Sequence, residues 1–250
     1  MKLTKKITAE ILNAAEKTKP CEMCGLIVQS GRKVVFIQAE NLAENPDDFF
    51  EISPESFIAA EEVGEILAVV HSHPNDEPYL SGADRQIHTK QSYPWVLATQ
   101  GRLKTFRPCR HLRGRVFDYG KADCGTLVRD AFMLAGLDLP DHNRTDMDAD
   151  AAADYWQQHL SVCGFSKVPD GLKNLQAGDV ILTELGGNAN HAALYLGDGE
   201  ILHHAYNQLS RREPFGNFWQ GVTHSVWRHV DFEPAMMEAV FNDLEHAEEL

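Results

Sequence analysis

The sequence predicts a mixed α/β protein of the α+β class, built as two domains. Three observations predict it. Up to about residue 106, short apolar runs of strand length alternate with stretches of helical periodicity. A basic, irregular stretch follows at 107–115, and beyond it one strong helix precedes a series of strands. At 250 residues, 43% of them hydrophobic, the chain has room and apolar content for two compact cores.

Residues 8–17 read as a helix, with Thr8 as N-cap and Ile11, Leu12, Ala14 and Ala15 on one face. Residues 26–28 and 34–37 read as strands around a turn at Gly31. Residues 54–64 read as a helix with Pro at its start and Ser53 placed to cap it. The apolar run at 66–70 is of strand length and delivers the chain directly into His71. Asp84 begins a further polar helix, and 95–99 reads as a strand. These elements make a first domain of residues 1–106. Residues 107–115 are expected to form a linker whose positive charge suits it to dock on one of two acidic halves.

The second domain, 116–232, opens on a helix at 124–134, closed by Gly136 and Pro140. A polar helical stretch through Tyr155 and Trp156 follows, then strands at 180–182, 192–196 and 200–203. The tail, 233–250, carries Met236, Met237, Val240, Phe241 and Leu244 at helical spacing. It is expected to cover its own domain; the alternative is a helix that docks a partner.

The formal net charge of −14 argues against nucleic acid, whose phosphates demand Lys and Arg. Part of the excess is local, in Asp146, Asp148 and Asp150 and in the Glu-rich C-terminus, and reads as a solvated acidic face. Five cysteines at uneven spacing are not a disulfide framework, and Cys21-x-x-Cys24 lacks the second pair that a structural zinc site needs. The thiols point to a reducing compartment. No secretory signal and no membrane span is legible, so the expectation is a protein made and kept in the cytoplasm, and carried outside only by something else.

Two constellations carry chemistry. In the first, His71 and His73 stand two apart, so in extended chain both rings point the same way. Asp84 can reach back from its helix. Two imidazoles and one carboxylate fill three positions of a tetrahedral zinc site and leave the fourth open, as hydrolysis requires. Glu22, not needed as a ligand, has the character of a general base, and Ser81 can donate to a developing oxyanion. Two surface histidines in a polar loop would be the plain structural alternative. In the second, Cys124 begins a helix whose N-terminus favours thiolate, with Asp123 able to cap it. His191 and His203, twelve residues apart around the Gly197-Asp198-Gly199 turn, come side by side in a hairpin as base and orienting group. His204 is expected to face the other way. A buried inert thiol is the structural alternative, and it is kept for Cys21, Cys24, Cys109 and Cys163.

The pattern E-x-x-G-L from Glu22 to Leu26, followed by H-x-H-P and S-x-x-D from His71 to Asp84, resembles the JAB/MPN metallopeptidases and their JAMM motif. The resemblance implies a zinc-dependent peptidase or isopeptidase holding one Zn2+ on His71, His73 and Asp84, with Glu22 as base and Ser81 as oxyanion helper. The second half is similar to the papain-like NlpC/p60 peptidases, on Asp123-Cys124-Gly125-Thr126-Leu127-Val128, on the segment from Leu175 to Val180, and on the stretches around His191 and His203. That family has Ser-Gly after the cysteine where this chain has Gly-Thr, which bears on subsite shape. It implies cleavage of peptide stems in peptidoglycan, typically after a γ-D-glutamyl residue, through an acyl-enzyme on Cys124. The Cys124 backbone N–H would serve the oxyanion, with the Tyr119 hydroxyl a further candidate.

The order of the two domains resembles the tail assembly proteins of lambda-like phages. It implies tail tip assembly and local digestion of the host wall, with synthesis in the host cytoplasm, delivery at the virion tail tip, and other tail proteins as partners. Two other functions fit the same residues: an assembly factor whose sites process a tail protein or are vestigial, and a cytoplasmic isopeptidase acting on a ubiquitin-like or sulfur-carrier protein.

Overall fold

The computed structural model describes residues 3–141, 152–184 and 189–247. The acidic run at 146–150 lies outside them. The chain divides into two compact units, 1–109 and 110–250.

The first unit carries a five-stranded sheet. Its elements are α1 (Lys5–Thr18), β1 (Cys24–Ser30), β2 (Lys33–Ala39), α2 (Pro54–Val63), β3 (Glu65–Ser72), α3 (Gly82–His88), β4 (Trp95–Thr99) and β5 (Arg102–Phe106). The strand order is β2-β1-β3-β4-β5, with β3 and β4 parallel and every other pair antiparallel. Helix α1 starts a turn earlier than its sequence pattern suggests. Its N-cap is Thr4, whose hydroxyl accepts from the Ile7 N–H, not Thr8. The extra turn places Ile7 with Ile11 on the buried face, against Met23, Ile27, Ala68, Val70 and Val96 of the sheet. Ser53 does cap α2, accepting from the Ser56 N–H. Gly25 lies where β1 meets β2 so closely that a Cβ would stand 2.4 Å from the Ile37 carbonyl oxygen. The glycine beside Glu22 is therefore required by strand packing.

The second unit consists of α4 (Cys124–Leu134), α5 (Ala152–Val162), β6 (Phe165–Lys167), a short 3-10 turn, β7 (Val180–Glu184), β8 (Ala189–Gly197), β9 (Glu200–His203), β10 (Arg211–Pro214), α6 (Asn217–Gly221), β11 (Thr223–His229), a second 3-10 turn and α7 (Met237–His246). Its six strands run in the order β10-β9-β8-β7-β11-β6, all antiparallel. The strands β6, β10 and β11 carry no clean alternation and do not stand out in the sequence. The strand around 192–196 is longer than its apolar run, so His191 lies within β8 instead of before it.

Residues 110–115 do not form a free linker. Leu112 and Arg115 are buried in the second unit. Arg115 pairs with Asp130 of α4 at 2.7 Å and donates to the His111 carbonyl, while Asp243 of α7 accepts from the Leu112 N–H at 2.7 Å and contacts His111 Nδ1 at 2.9 Å. A buried guanidinium stays charged, so its carboxylate partner must be buried with it, and this holds the segment in place. Helix α7 turns Met237, Ala239, Val240 and Leu244 inward and packs on α4, so the described part of the tail covers its own unit.

Candidate functional sites

In the first unit, β3 carries the buried His71 at its end, and His73 follows immediately after the strand. Asp84 is the third residue of α3. Ser81 caps that helix reciprocally: its hydroxyl accepts from the Asp84 N–H at 3.1 Å, and its own N–H donates to Asp84 Oδ2 at 2.8 Å. The capping box thereby aims Asp84 Oδ2 at His73 Nε2 (3.2 Å) and His71 Nε2 (3.5 Å), while the two Nε2 atoms are 3.2 Å apart. One imidazole N–H can serve only one of these contacts. A cation at the point where the three atoms converge satisfies all of them. The donor atoms lie within 4.8 Å of one another, and they are the set that suits a divalent ion with an open position.

The groups around this point support that fit. Glu22 Oε1 lies 3.8 Å from His73 Nε2, and its Oε2 is buried with no hydrogen-bond partner among the described residues. Burial pushes the Glu22 carboxyl up to about 8, helped by Asp84, Asp48 and Glu77 and opposed by His73. Burial works in the same direction on Asp84, but the two imidazoles outweigh it and hold that carboxyl well below the usual range. Burial, with a contribution from His73, lowers His71 against the pull of Asp84, while His73 is raised because Asp84 and Glu22 outweigh its desolvation. His73 Nδ1 contacts the Glu77 carbonyl at 3.1 Å, which fixes its tautomer with Nε2 toward the cluster. His71 Nδ1 has no such partner. Its ring is held instead by Phe50, stacked at 4.6 Å, and by the edge of Trp95 at 5.3 Å. Phe50 carries no motif, and nothing in the sequence separates it from Phe49 beside it.

In the second unit, Cys124 is the first residue of α4, nearly buried, and α4 lies against β8. Asp123 caps the helix: Oδ1 accepts from the Thr126 N–H at 2.9 Å and Oδ2 from the Gly120 N–H at 2.8 Å. The hairpin of β8 and β9 pairs Ala193 with His203, so His191 is the diagonal neighbour on the same face. The rings meet edge-on, with His191 Nε2 3.2 Å from His203 Nδ1. Burial, reinforced by His203 and His204, pushes the His191 imidazole down to about 3. His203 is lowered too, chiefly by its burial. His204 takes the other side, edge-on to Phe117 at 5.3 Å. Tyr119 is half exposed. Two residues that the sequence did not mark stand behind His203: Glu213, with Oε1 3.3 Å from His203 Nε2, and Trp219, whose ring lies 4.8 Å from the imidazole. Glu213 sits in the run Arg211-Arg212-Glu213, which reads as ordinary surface charge.

Fold and sites together define a two-domain chain, with a JAB-type unit bearing a His/His/Asp cluster followed by a cysteine–histidine unit of the NlpC/P60 type. The family of prokaryotic homologs of the JAB domain matches residues 4–111, and the NlpC/P60 family matches residues 114–228. Tail tip assembly protein K of Escherichia phage lambda is 44% identical over 201 residues, which is 77% of this chain and 96% of that protein. Tail tip assembly protein K of Escherichia phage N15 is 33% identical over 236 residues, 91% of this chain and 95% of that protein. The chain belongs to the tail tip assembly protein K family. Among solved structures, an NlpC/P60 family protein from Bacillus cereus ATCC 10987 covers 87% of this chain and 66% of its own at 12% identity and a TM-score of 0.36, too loose a likeness to bear on either site.

Proposed function

We propose that this chain is a phage tail tip protein whose second domain hydrolyses the peptide stems of peptidoglycan. The observation that carries this reading is the buried His191–His203 pair on the β8–β9 hairpin, whose strand β8 packs against the helix that Cys124 begins. Cys124 is the nucleophile, and the N-terminus of α4 favours negative charge on its sulfur. His191, kept neutral by burial, accepts the thiol proton as the sulfur attacks the stem carbonyl. His203 orients His191 and disperses the charge that it gains. The acyl-enzyme on Cys124 is then released by water, with His191 first returning its proton to the leaving amine.

The first domain holds one zinc ion on His71, His73 and Asp84 in this reading, and acts as a peptidase or isopeptidase. The ion supplies Lewis acidity toward a carbonyl and toward water. Glu22, whose Oε1 lies 3.8 Å from His73 Nε2 beside the cluster, takes and returns the proton. Ser81 holds Asp84 in place, and an accepting hydroxyl still has its own proton to donate to an oxyanion. No helix among the described residues is long and apolar enough to cross a membrane. The chain is made in the host cytoplasm and acts on the wall from the virion tail tip, with other tail proteins as its partners.

The test is hydrolysis of a synthetic stem peptide. Iodoacetamide is expected to abolish it and a metal chelator to leave it intact. Loss under chelation alone contradicts the assignment to Cys124. The names of the two relatives favour a second reading, in which the sites process a tail protein during assembly. Particles carrying Cys124→Ala would then fail to mature and would retain an uncleaved tail component.

A further inference from the structure

We propose that Glu213 is a positioning residue of the thiol site, the outermost member of a chain running Glu213–His203–His191–Cys124. The inference rests on the hydrolase reading of Cys124.

The register of the sheet puts it there. Arg211 of β10 pairs with His203 of β9, and Glu213, two residues on, shares the face of Arg211. Its Oε1 lies 3.3 Å from His203 Nε2, at ion-pair distance though not as a formed hydrogen bond, and this buried nitrogen has no hydrogen-bond partner among the described residues, so Glu213 is the acceptor poised to take its proton. The carboxylate is itself held from two sides: Oε2 accepts from Arg211 Nε at 2.9 Å, and Oε1 accepts from the Trp219 indole N–H. Desolvation works against its charge, but Arg211, His203 and Trp219 outweigh it and keep the carboxyl below its ordinary range.

An acceptor at Nε2 selects one tautomer of His203, with the proton on Nε2 and a lone pair on Nδ1. That lone pair is 3.2 Å from His191 Nε2, so it selects the N–H at that nitrogen in turn. His191 Nδ1 is left as the acceptor for the thiol proton. Without Glu213, His203 can hold its proton on Nδ1 and present it to His191 Nε2. This reverses the chain and places the His191 proton on Nδ1, where no thiol proton can be accepted. The carboxylate also offsets the charge that His191 gains in the attack. The other titratable groups around His203 are His191 on β8, His204 beyond β9 and Arg211 on β10, and of these Arg211 and His204 oppose its protonation as Glu213 favours it.

The experiment uses the full chain, wild type, Glu213→Ala and Glu213→Gln. Nitrogen-15 spectra report the imidazole tautomers, and iodoacetamide alkylation of Cys124 is followed against Cys163 as internal reference across pH. Wild type is expected to show His203 as the Nε2–H tautomer. Glu213→Ala is expected to show mixed tautomers and alkylation slowed roughly tenfold, the scale of a general-base contribution partly lost. Glu213→Gln keeps an acceptor without the charge. It holds the tautomer, loses less rate, and moves the acid limb of the profile to lower pH because His191 becomes a weaker base. A wild-type tautomer and profile in Glu213→Gln, or in folded Glu213→Ala, overturns the inference. If wild-type Cys124 reacts no faster than Cys163, the hydrolase reading fails, and the His203 tautomer still decides whether Glu213 positions the pair.

Discussion

The Nε2 atoms of His71 and His73 face each other across 3.2 Å, and Asp84 Oδ2 faces both. Strand β3 supplies the first ring, the residue just beyond the strand supplies the second, and a capping box supplies the carboxylate. Backbone geometry places all three residues around one point, and Phe50 and Trp95 pack on the His71 ring.

The first prediction concerns the metal. Elemental analysis of the dialysed chain is expected to give about one zinc per molecule, falling to background in His73→Ala and Asp84→Asn but retained in Glu22→Gln, since the proposal makes Glu22 the base and not a ligand. A ligand that binds only the folded chain stabilises it by about 4 kcal/mol at a thousandfold excess over Kd, so added zinc raises the melting temperature of wild type and not of His73→Ala. Loss of zinc in Glu22→Gln would make Glu22 a ligand instead of a base.

Gly25→Ala tests the glycine of the first motif as a packing residue. A Cβ at 2.4 Å from the Ile37 carbonyl must push β1 from β2, at a cost of about 2–4 kcal/mol. Calorimetry should show a lower transition for the first unit, with Cys124 alkylated at the wild-type rate. An unchanged transition would mean that the two strands yield without penalty.

Asp123→Ala removes the cap of α4 and the acceptors of the Gly120 and Thr126 N–H groups. The expected loss is about 1–2 kcal/mol of stability, accompanied by slower alkylation of Cys124 as the first helical turn frays. Denaturant midpoints and alkylation rates check the two parts separately.

His191 makes the second unit acid-sensitive. Its imidazole titrates near 3 in the folded chain and at the ordinary histidine value near 6.5 in the unfolded chain. The unfolded state therefore binds the extra proton first as the pH falls. The stabilisation is present in full above 6.5 and is lost progressively from there down toward 3. Between pH 6.5 and 5 the loss is about 2 kcal/mol. Urea midpoints should fall over this range in wild type and fall less in His191→Gln; equal slopes would contradict the buried neutral imidazole.

The parts of this protein that were legible in the sequence are those carried by short-range spacing. His71-x-His73 and Ser81-x-x-Asp84 are local patterns whose geometry follows from one strand and one helix start. Asp123 before Cys124 is a helix cap followed by a thiol at the first helical position. His191 and His203 are tied by a two-stranded hairpin, although the diagonal register could not be read without the turn geometry. What stayed hidden depends on long-range pairing. Glu213 reaches His203 only because β10 adds to the edge of β9, and Phe50 reaches His71 only through the fold of the loop before α2. Residues 107–115 read as a basic linker able to dock on an acidic half, and the spacing did not reveal which partners the segment meets: Arg115 pairs with Asp130, and Asp243 accepts from the Leu112 N–H. Thr8 looked like a cap because apolar residues follow it, but Ile7 extends the buried face one turn back to Thr4.

The most direct measurement is muropeptide release. Purified peptidoglycan is incubated with wild type, Cys124→Ala and His71→Ala, and the soluble products are read by mass spectrometry. The expected result is new stem-peptide fragments from wild type and His71→Ala and none from Cys124→Ala. Folded protein that releases no fragments in any of the three, or releases them equally from Cys124→Ala, would contradict the assignment of a wall peptidase to the thiol site.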